Sequence, residues 1–273
     1  MLRDKTILIT GAAGGLGEGI ARVCRREGAN VVLCDIQGGR VIAVAQSLGE
    51  RAIGVRCDVR SAEDLQAFVD RAIERFGRID GLVNNAGSNF VKPFLETTAG
   101  EWDEVLSIDL RAVFLLTQMV CLRLREQGSG GSIVNISSVH SHAVLPGSGP
   151  YDAAKWGMVG LSKSIAVELA PDAIRVNCIS PGLLNTNIWR DIQAAAPSAE
   201  ACREYWNANI PIARVIEPAE IGELAAFLLS DRSACMTGAN IFADGGMTSQ
   251  LISREPYASK PLTPQPGSSS SQG

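Results

Sequence analysis

The sequence predicts a single-domain α/β fold, doubly wound, with a seven-stranded parallel sheet and helices on both faces. Short apolar runs rich in β-branched residues alternate with longer amphipathic stretches along most of the chain, which is the pattern of a parallel sheet covered on both sides. With 273 residues, of which 46% are hydrophobic and 20% charged, the chain can bury one large core. Chains of this class and size often stay undivided.

The first strand and its following turn predict a phosphate-binding loop. The run 5–10, Lys-Thr-Ile-Leu-Ile-Thr, reads as a buried strand, and Gly11-Ala12-Ala13-Gly14-Gly15-Leu16-Gly17 leads from it into a helix over 18–27. Such a turn lets the backbone approach a pyrophosphate, which the free N–H groups of the helix start stabilise. The glycine spacing differs from the common GxGxxG fingerprint, so a plain flexible turn is the alternative.

The second predicted strand, 30–35, ends in Asp35. A carboxylate there can accept hydrogen bonds from the adenosine ribose and would repel a 2′-phosphate, which favours NAD over NADP. The nearest cation is Arg40. The alternative is an ordinary strand-end Asp that caps the next helix.

The remaining elements follow from strand runs, caps and breakers. Strands are predicted over 52–57, 79–83, 133–138, 175–177 and 240–243. Ser61 and Asp64 start a helix that closes near Gly77. Further helices are predicted over 97–127 and 150–170, and Pro218 opens one over 219–229.

Tyr151 and Lys155 are spaced one helical turn apart, and Ser138 ends the strand before them. Positions i and i+4 share a helix face, so the lysine ammonium can stand beside the phenol and favour its ionised form. A phenol ordinarily titrates near pH 10, and a positive neighbour is what makes it usable as a base. The pattern indicates proton transfer at an alcohol or ketone. A surface Tyr with a solvated Lys would give the same spacing.

Taken together, the glycine loop, Asp35, Ser138, Tyr151 and Lys155 make the chain resemble the short-chain dehydrogenase/reductase family over residues 3 to 249. Further matches are Asp58-Val59, Asn84-Asn85-Ala86-Gly87, Arg175-Val176-Asn177, Pro181-Gly182 and Thr186. The resemblance implies a Rossmann-like fold, a tetramer, and catalysis by Ser138, Tyr151 and Lys155. The implied NAD-binding residues are Gly11, Gly14, Gly15, Leu16, Gly17, Asp35, Asp58, Val59, Asn85, Ala86, Gly87, Tyr151, Lys155, Pro181, Leu184 and Thr186.

One position departs from the family pattern. Where family members usually carry an Asn, seven residues after a frequent Trp, this chain has Trp102 followed by Asp109. That Asn is thought to bend its helix and offer its main-chain carbonyl to a water joined to the lysine, a role that survives in Asp. The Asp109 carboxylate could also raise the pKa of Lys155. We expect Asp109 to be tolerated.

The substrate is predicted to be a sugar, sugar acid or polyol. Its contacts are expected at Ser138 and in the loop 187–215, which carries Trp189. Asn89 and His140 resemble the polar pocket of sugar dehydrogenases in the family. A lid that only excludes water, or a surface loop, would also account for these residues. Reduction of a 3-oxoacyl thioester is the runner-up, and a non-catalytic nucleotide-binding regulator is a third class.

Composition limits the partners, metal sites and cellular location that we expect. A net charge of −4 argues against a nucleic-acid partner, and two His with scattered Cys predict no metal site. Cys34, Cys57 and Cys178 read as reduced core thiols. No room for a signal peptide and no apolar run of membrane-spanning length are found, so we expect a cytoplasmic protein. The domain is expected over 1–253, with a flexible Pro/Ser-rich tail over 254–273.

Overall fold

The computed structural model of the protein describes residues 1–251, and the predicted tail over 254–273 lies outside them. Seven strands form one parallel sheet in the order β3-β2-β1-β4-β5-β6-β7. The predicted doubly wound, Rossmann-like fold is confirmed. The strands are β1 Thr6–Thr10, β2 Asn30–Asp35, β3 Ala52–Arg56, β4 Gly81–Asn84, β5 Gly131–Ile136, β6 Ile174–Pro181 and β7 Asn240–Ala243.

Helices connect successive strands and cover both faces of the sheet. They are α1 Gly15–Arg26, α2 Gly38–Ser47, α3 Ala62–Phe76, α4 Ala99–Leu106, α5 Ala112–Gln127, α6 Gly149–Leu169, α7 Asn187–Ala195, α8 Ala199–Asn209 and α9 Pro218–Leu229. The Ser61 hydroxyl accepts from the Asp64 N–H, and Gly77 adopts a left-handed conformation. The Ser61 contact marks the start of α3 and the conformation of Gly77 marks its end, as the sequence predicts.

Alternation along the strands builds two cores. In β1, Ile7 and Ile9 join a cluster with α1, α2 and α9, whereas Leu8 joins a cluster with α3, α5 and α6. Successive strand side chains point to opposite faces, so a strand buried on both sides reads as a continuous apolar run.

The strand order places a cleft at the carboxyl end of β1. This strand pairs with β2 on one side and with β4 on the other, and the chain order reverses between them. In open α/β sheets, ligands bind outside the carboxyl ends of the strands at such a switch point. The glycine loop after β1 and the Asn pair at the end of β4 both lie there.

The long helical stretch before β5 has a break. A five-residue π-helical turn, Ser107–Arg111, separates α4 from α5 and carries Asp109. By length and composition alone, Ala99–Gln127 could span a membrane, so the expectation that no apolar run is that long is wrong here. Leu116, Val120 and Leu124 of α5 are buried in the core, as in the core helix of a globular domain.

Several boundaries differ from the expectation. The strands predicted over 79–83 and 133–138 are observed as Gly81–Asn84 and Gly131–Ile136. Helix α1 begins at Gly15 rather than Glu18, because the glycines after the turn already form its first turn. The segment 187–215, which carries few local signals, contains α7 and α8. Ser198 caps α8 by accepting from the Ala201 N–H, and Trp189 of α7 is buried.

Candidate active site and cofactor cleft

The glycine loop is shaped by close backbone contacts. Gly11 has a φ of 65°, and a Cβ there would lie 2.8 Å from the Ala86 Cα. A Cβ on Gly17 would overlap the Gly11 carbonyl. Helix α1 has Gly14 as its N-cap, with no side chain capping its first N–H groups. These free donors and the bare backbone before them form a cradle for phosphate oxygens.

Asp35 ties the end of β2 to the glycine loop. One carboxylate oxygen accepts the Ala13 N–H at 3.1 Å, and the other accepts the Gln37 N–H at 2.9 Å. A carboxylate has about four lone-pair sites, so acceptor capacity remains for ribose hydroxyls. Arg40 lies close by: a Cβ on Gly14 would be 3.2 Å from its guanidinium. Asp35 and Arg40 therefore border the same end of the cleft.

The end of β4 is bound to β1 by side chains. The Asn85 amide donates to the carbonyls of Thr10 and Gly11 at 2.9 and 3.0 Å, so it holds the glycine loop in place. Val59 and Ala86 line one small recess together with Thr10 and Asn84. The Asp58 carboxylate is paired with the Arg60 guanidinium at 2.6 Å. Its main-chain N–H donates to the Asp64 carboxylate, and its carbonyl accepts from the Ser61 N–H.

The predicted cofactor residues 181–186 lie at and just beyond the end of β6, and one of them approaches the glycine loop. Pro181 ends β6 and is buried, and Leu184 packs against the core near Ile216. Thr186 precedes α7. A Cβ on Gly15 would lie 3.7 Å from the Thr186 methyl, which places this threonine across the cleft from the start of α1.

The three predicted catalytic side chains come together at the carboxyl end of β5. Tyr151 and Lys155 lie in the first turns of α6, with the Lys155 ammonium 5.3 Å from the centre of the Tyr151 ring. Lys155 also donates to the Ile136 carbonyl at 3.2 Å. Ser138 follows β5 and is 8% exposed. A phenol, a fixed cation and a hydroxyl thus share one corner of the cleft.

Asp109 forms an ion pair with Lys155, and the Asp109 side chain has no exposure to solvent. Its Oδ1 lies 3.0 Å from the lysine Nζ and has no other partner within residues 1–251. Its Oδ2 accepts from both the N–H and the hydroxyl of Ser88. Burial acts to lower the pKa of Lys155, but Asp109 and then Tyr151 raise it above the ordinary lysine value. The lysine is therefore charged at neutral pH.

The predicted substrate residues are placed unevenly. Asn89 is exposed beyond β4, and Trp189 is 6% exposed, a burial that favours a packing role for it. His140 lies directly over the catalytic corner, with its ring edge-to-face against Tyr151 at 5.2 Å. The main-chain N–H of His140 donates to the Ser138 hydroxyl at 3.2 Å. His140 is thus the polar side chain best placed beside the reacting centre.

Sequence reasoning missed two residues of this corner, Ser88 and Asp152. Ser88 holds Asp109, and Asp152 lies 2.5 Å from the His140 imidazole. Asp152 directly follows Tyr151 in the chain, which was the one available signal for it. Nothing in the local sequence around Ser88 indicates its contact, because the partner comes from a different element.

The cleft fits a dinucleotide on its own geometry. A Cβ could not be placed on Gly11 or Gly17, the N-terminus of α1 is free, and an acid stands at the ribose position. Together with the Ser138, Tyr151 and Lys155 corner, this architecture defines an oxidoreductase that uses a nicotinamide cofactor and acts on a CH–OH group.

Comparison with known proteins gives the family. The family model described as enoyl-(acyl carrier protein) reductase matches residues 11–248. L-fucose dehydrogenase of Oryctolagus cuniculus is 40% identical over 89% of this chain and 84% of its own length. Oxidoreductase UcpA of Salmonella typhimurium is 42% identical over 90% and 95%. The chain belongs to the short-chain dehydrogenase/reductase family.

Solved structures of the same kind differ in the cofactor they hold. The 3-ketoacyl-(acyl-carrier-protein) reductase of Brucella melitensis, complexed with NADH, has a TM-score of 0.82 at 31% identity and covers 91% of this chain and 100% of its own. A variant of actinorhodin polyketide ketoreductase with NADPH has a TM-score of 0.86 at 32% identity and covers 92% and 100%.

Proposed function

We propose that this protein oxidises a secondary alcohol of a sugar, sugar acid or polyol, with NAD as the hydride acceptor. The observation that carries the proposal is the corner where Tyr151 lies beside a buried, charged Lys155 and beside the polar side chain of His140. The first contact supplies a base for an alcohol proton. The second supplies a polar group for a substrate that carries more than one hydroxyl.

Each catalytic residue has its own role in the proposed proton transfer. The bound nicotinamide supplies the site that accepts hydride. Lys155 stabilises the phenolate form of Tyr151, which takes the alcohol proton. Ser138 donates its hydroxyl hydrogen to the substrate oxygen. This bond orients the oxygen toward the base and stabilises the negative charge that develops on it. General-base assistance of this kind is typically worth roughly 10²–10⁴ in rate.

The choice of NAD rests on Asp35. Its carboxylate is fixed by two backbone N–H groups beside the glycine loop, where it would accept from ribose hydroxyls and repel a 2′-phosphate. Arg40 acts in the opposite sense, because a guanidinium near Gly14 would attract that phosphate. We weight Asp35 more heavily because it is held rigidly, whereas Arg40 is bonded to the neighbouring Gln37 side chain.

The choice of a hydroxylated substrate rests on His140 and on the sugar dehydrogenase among the relatives. Asn89 is exposed in the segment that follows β4, so a substrate hydroxyl has access to it. Reduction of a 3-oxoacyl thioester is the second candidate, because such a reductase is among the similar structures. That activity would favour a basic surface for an acyl carrier, and the net charge of −4 counts against it. The cofactor does not separate the two candidates, since that reductase is complexed with NADH.

We also propose a homotetramer located in the cytoplasm. Large apolar side chains are exposed on the helices that flank β5: Phe114 and Leu122 on α5, and Trp156 and Val167 on α6. Contact with a second copy would remove this area from water. Five free cysteines are buried, which suits a reducing compartment. Light scattering on the purified protein tests the oligomer.

A substrate panel tests the function directly. Aldoses, sugar acids, polyols and simple secondary alcohols are assayed with NAD and with NADP by absorbance of the reduced cofactor. The proposal requires turnover of at least one polyhydroxylated substrate with NAD in preference to NADP. A 3-oxoacyl thioester is assayed alongside with NADH and with NADPH. Turnover of the thioester alone would replace the proposal with the second candidate, and no turnover at all would favour a nucleotide-binding regulator.

A further inference from the structure

The residue after Tyr151 is a partly buried carboxylate with a fixed partner. Asp152 Oδ1 lies 2.5 Å from His140 Nδ1, and the two side chains are only 14% and 16% exposed. Asp152 is in the first turn of α6, and its N–H bonds the Ser148 carbonyl. The N-terminus of a helix favours negative charge, so this carboxylate is held where the fold stabilises it.

The contact fixes which nitrogen of the imidazole carries a proton. A carboxylate accepts and does not donate when ionised, so His140 Nδ1 must be the donor. In the neutral ring Nε2 is then the acceptor. Nε2 has no hydrogen-bond partner within residues 1–251, and it is not among the buried polar atoms without one. It therefore reaches solvent and is available to a ligand.

The ring is located by three contacts. Its main-chain N–H donates to the Ser138 hydroxyl, its edge packs against the Tyr151 ring at an interplanar angle of 77°, and Asp152 holds Nδ1. Both residues that would bind the reacting oxygen thus touch His140. A substrate hydroxyl on the neighbouring carbon is the group that would come nearest to this imidazole.

We propose that Asp152 is a positioning residue: it fixes the tautomer and orientation of His140 so that Nε2 accepts a hydrogen bond from the hydroxyl vicinal to the reacting one. The protein thereby selects 1,2-diols over simple secondary alcohols. This inference rests on the proposed function, since it specifies the substrate class of the same site. A site built to accept a hydroxyl discriminates against an analogue without it, because its polar group is then left unpaired.

The competing account is that the Asp152–His140 contact only braces the structure. The two accounts predict different effects on a pair of alcohols that differ by one hydroxyl. A strut between the loop after β5 and α6 would affect all alcohols alike. A positioning role affects the diol more than the mono-alcohol, and it acts only through His140. The variants Asp152→Asn, His140→Gln and the double variant separate the two, with Asp152→Glu as the conservative rescue and Asp103→Asn on exposed α4 as the matched control.

The experiment measures kcat/KM with saturating NAD for 2,3-butanediol and for 2-butanol, which differ by one vicinal hydroxyl. In Asp152→Asn the ratio of the two kcat/KM values is expected to fall about tenfold, chiefly through KM of the diol, as for a lost hydrogen bond. The double variant should lose no more than His140→Gln, Asp152→Glu should recover part of the ratio, and Asp103→Asn should keep it. Equal losses for both alcohols, or additive losses in the double variant, would overturn the inference.

A second measurement does not depend on turnover. Long-range ¹H–¹⁵N spectra of the full chain report the imidazole tautomer, which should be Nδ1–H in the wild type and shift toward Nε2–H in Asp152→Asn. An Nε2–H tautomer in the wild type would overturn the inference. If the wild type oxidises no alcohol, the proposed function fails while the spectra still decide the role of Asp152. If it oxidises 2-butanol as well as 2,3-butanediol, the diol selection fails while a dehydrogenase function stands.

Discussion

Asp109 and Lys155 form a buried ion pair across the active-site corner, with Oδ1 and Nζ 3.0 Å apart. The carboxylate belongs to a π-helical turn and the lysine to α6. Because Asp109 balances the lysine charge, Tyr151 faces a cation that is partly compensated on its far side. The Asp at this position therefore has an electrostatic consequence beyond bending the helix.

The first prediction concerns Asp109→Asn and the pH dependence of turnover. The Asp109 carboxylate raises the pKa of Lys155 against the effect of burial. Removing the negative charge lowers that pKa, so activity that needs a charged lysine is lost at a lower pH. The alkaline limb of the kcat/KM profile should therefore move toward acid.

Asp109→Ala tests how much the Asp109 carboxylate contributes to stability. It leaves the buried lysine without its ion-pair partner, which typically costs about 3–5 kcal/mol in the free energy of unfolding. Urea unfolding measures this loss. A pH profile of Asp109→Asn identical to that of the wild type would show that Asp109 acts only through the helix bend.

The second prediction concerns Gly87, which leaves room for this ion pair. A Cβ there would lie 2.8 Å from Asp109 Oδ1 and 3.5 Å from Lys155 Nζ. Gly87→Ala should lower the free energy of unfolding by about 1–3 kcal/mol, as overpacking does, and reduce kcat. The control is Gly160→Ala on α6, where a Cβ meets nothing within 4 Å. That change should instead add roughly 0.5–1 kcal/mol. Equal effects of the two would refute the packing argument.

The third prediction concerns the cofactor. Asp35→Ser removes the charge that opposes a 2′-phosphate, so kcat/KM with NADP should rise relative to NAD by about tenfold or more. Arg40→Gln should shift the ratio the other way, because its guanidinium lies beside Gly14. The remote change Arg123→Gln on α5 serves as the control. A wild type that already prefers NADP strongly would contradict the role given to Asp35.

The fourth prediction concerns acid stability at the start of α4. Lys92, then the Thr98 N–H and hydroxyl, lower the pKa of Glu101 from 4.5 to about 2. A carboxyl group with a lowered pKa stabilises the fold above its ordinary value, and that stabilisation is lost as pH falls from 4.5 toward 2. Thermal unfolding of Glu101→Gln should therefore depend less on pH across this interval than unfolding of the wild type. Parallel curves would show that the capping contacts do not persist in solution.

The fold could be predicted because its signals are local. The continuous apolar run of β1, the glycines after it and the cap at Ser61 each fix an element within a few residues of sequence. The helices α7 and α8 were missed because their patterns are short and mixed, and their positions depend on contacts such as Trp189 in the interior.

The residues of the candidate site also differ in whether a local sequence signal identifies them. Residues in motifs with fixed spacing, such as Tyr151 and Lys155, could be named in advance because one helix carries both. The contact of Ser88 with Asp109, and that of His140 with Asp152, join different elements. Nothing in the local sequence specifies such pairings, since they exist only after the sheet has assembled.

The most direct test of the account is Tyr151→Phe, which removes one hydroxyl beside Lys155 and keeps the ring that packs against His140. Turnover of the best substrate from the panel is measured together with NADH affinity by fluorescence. The account predicts that kcat falls by roughly 10²-fold or more, while NADH binds within a few-fold of the wild type. Turnover retained at wild-type level in Tyr151→Phe would contradict it.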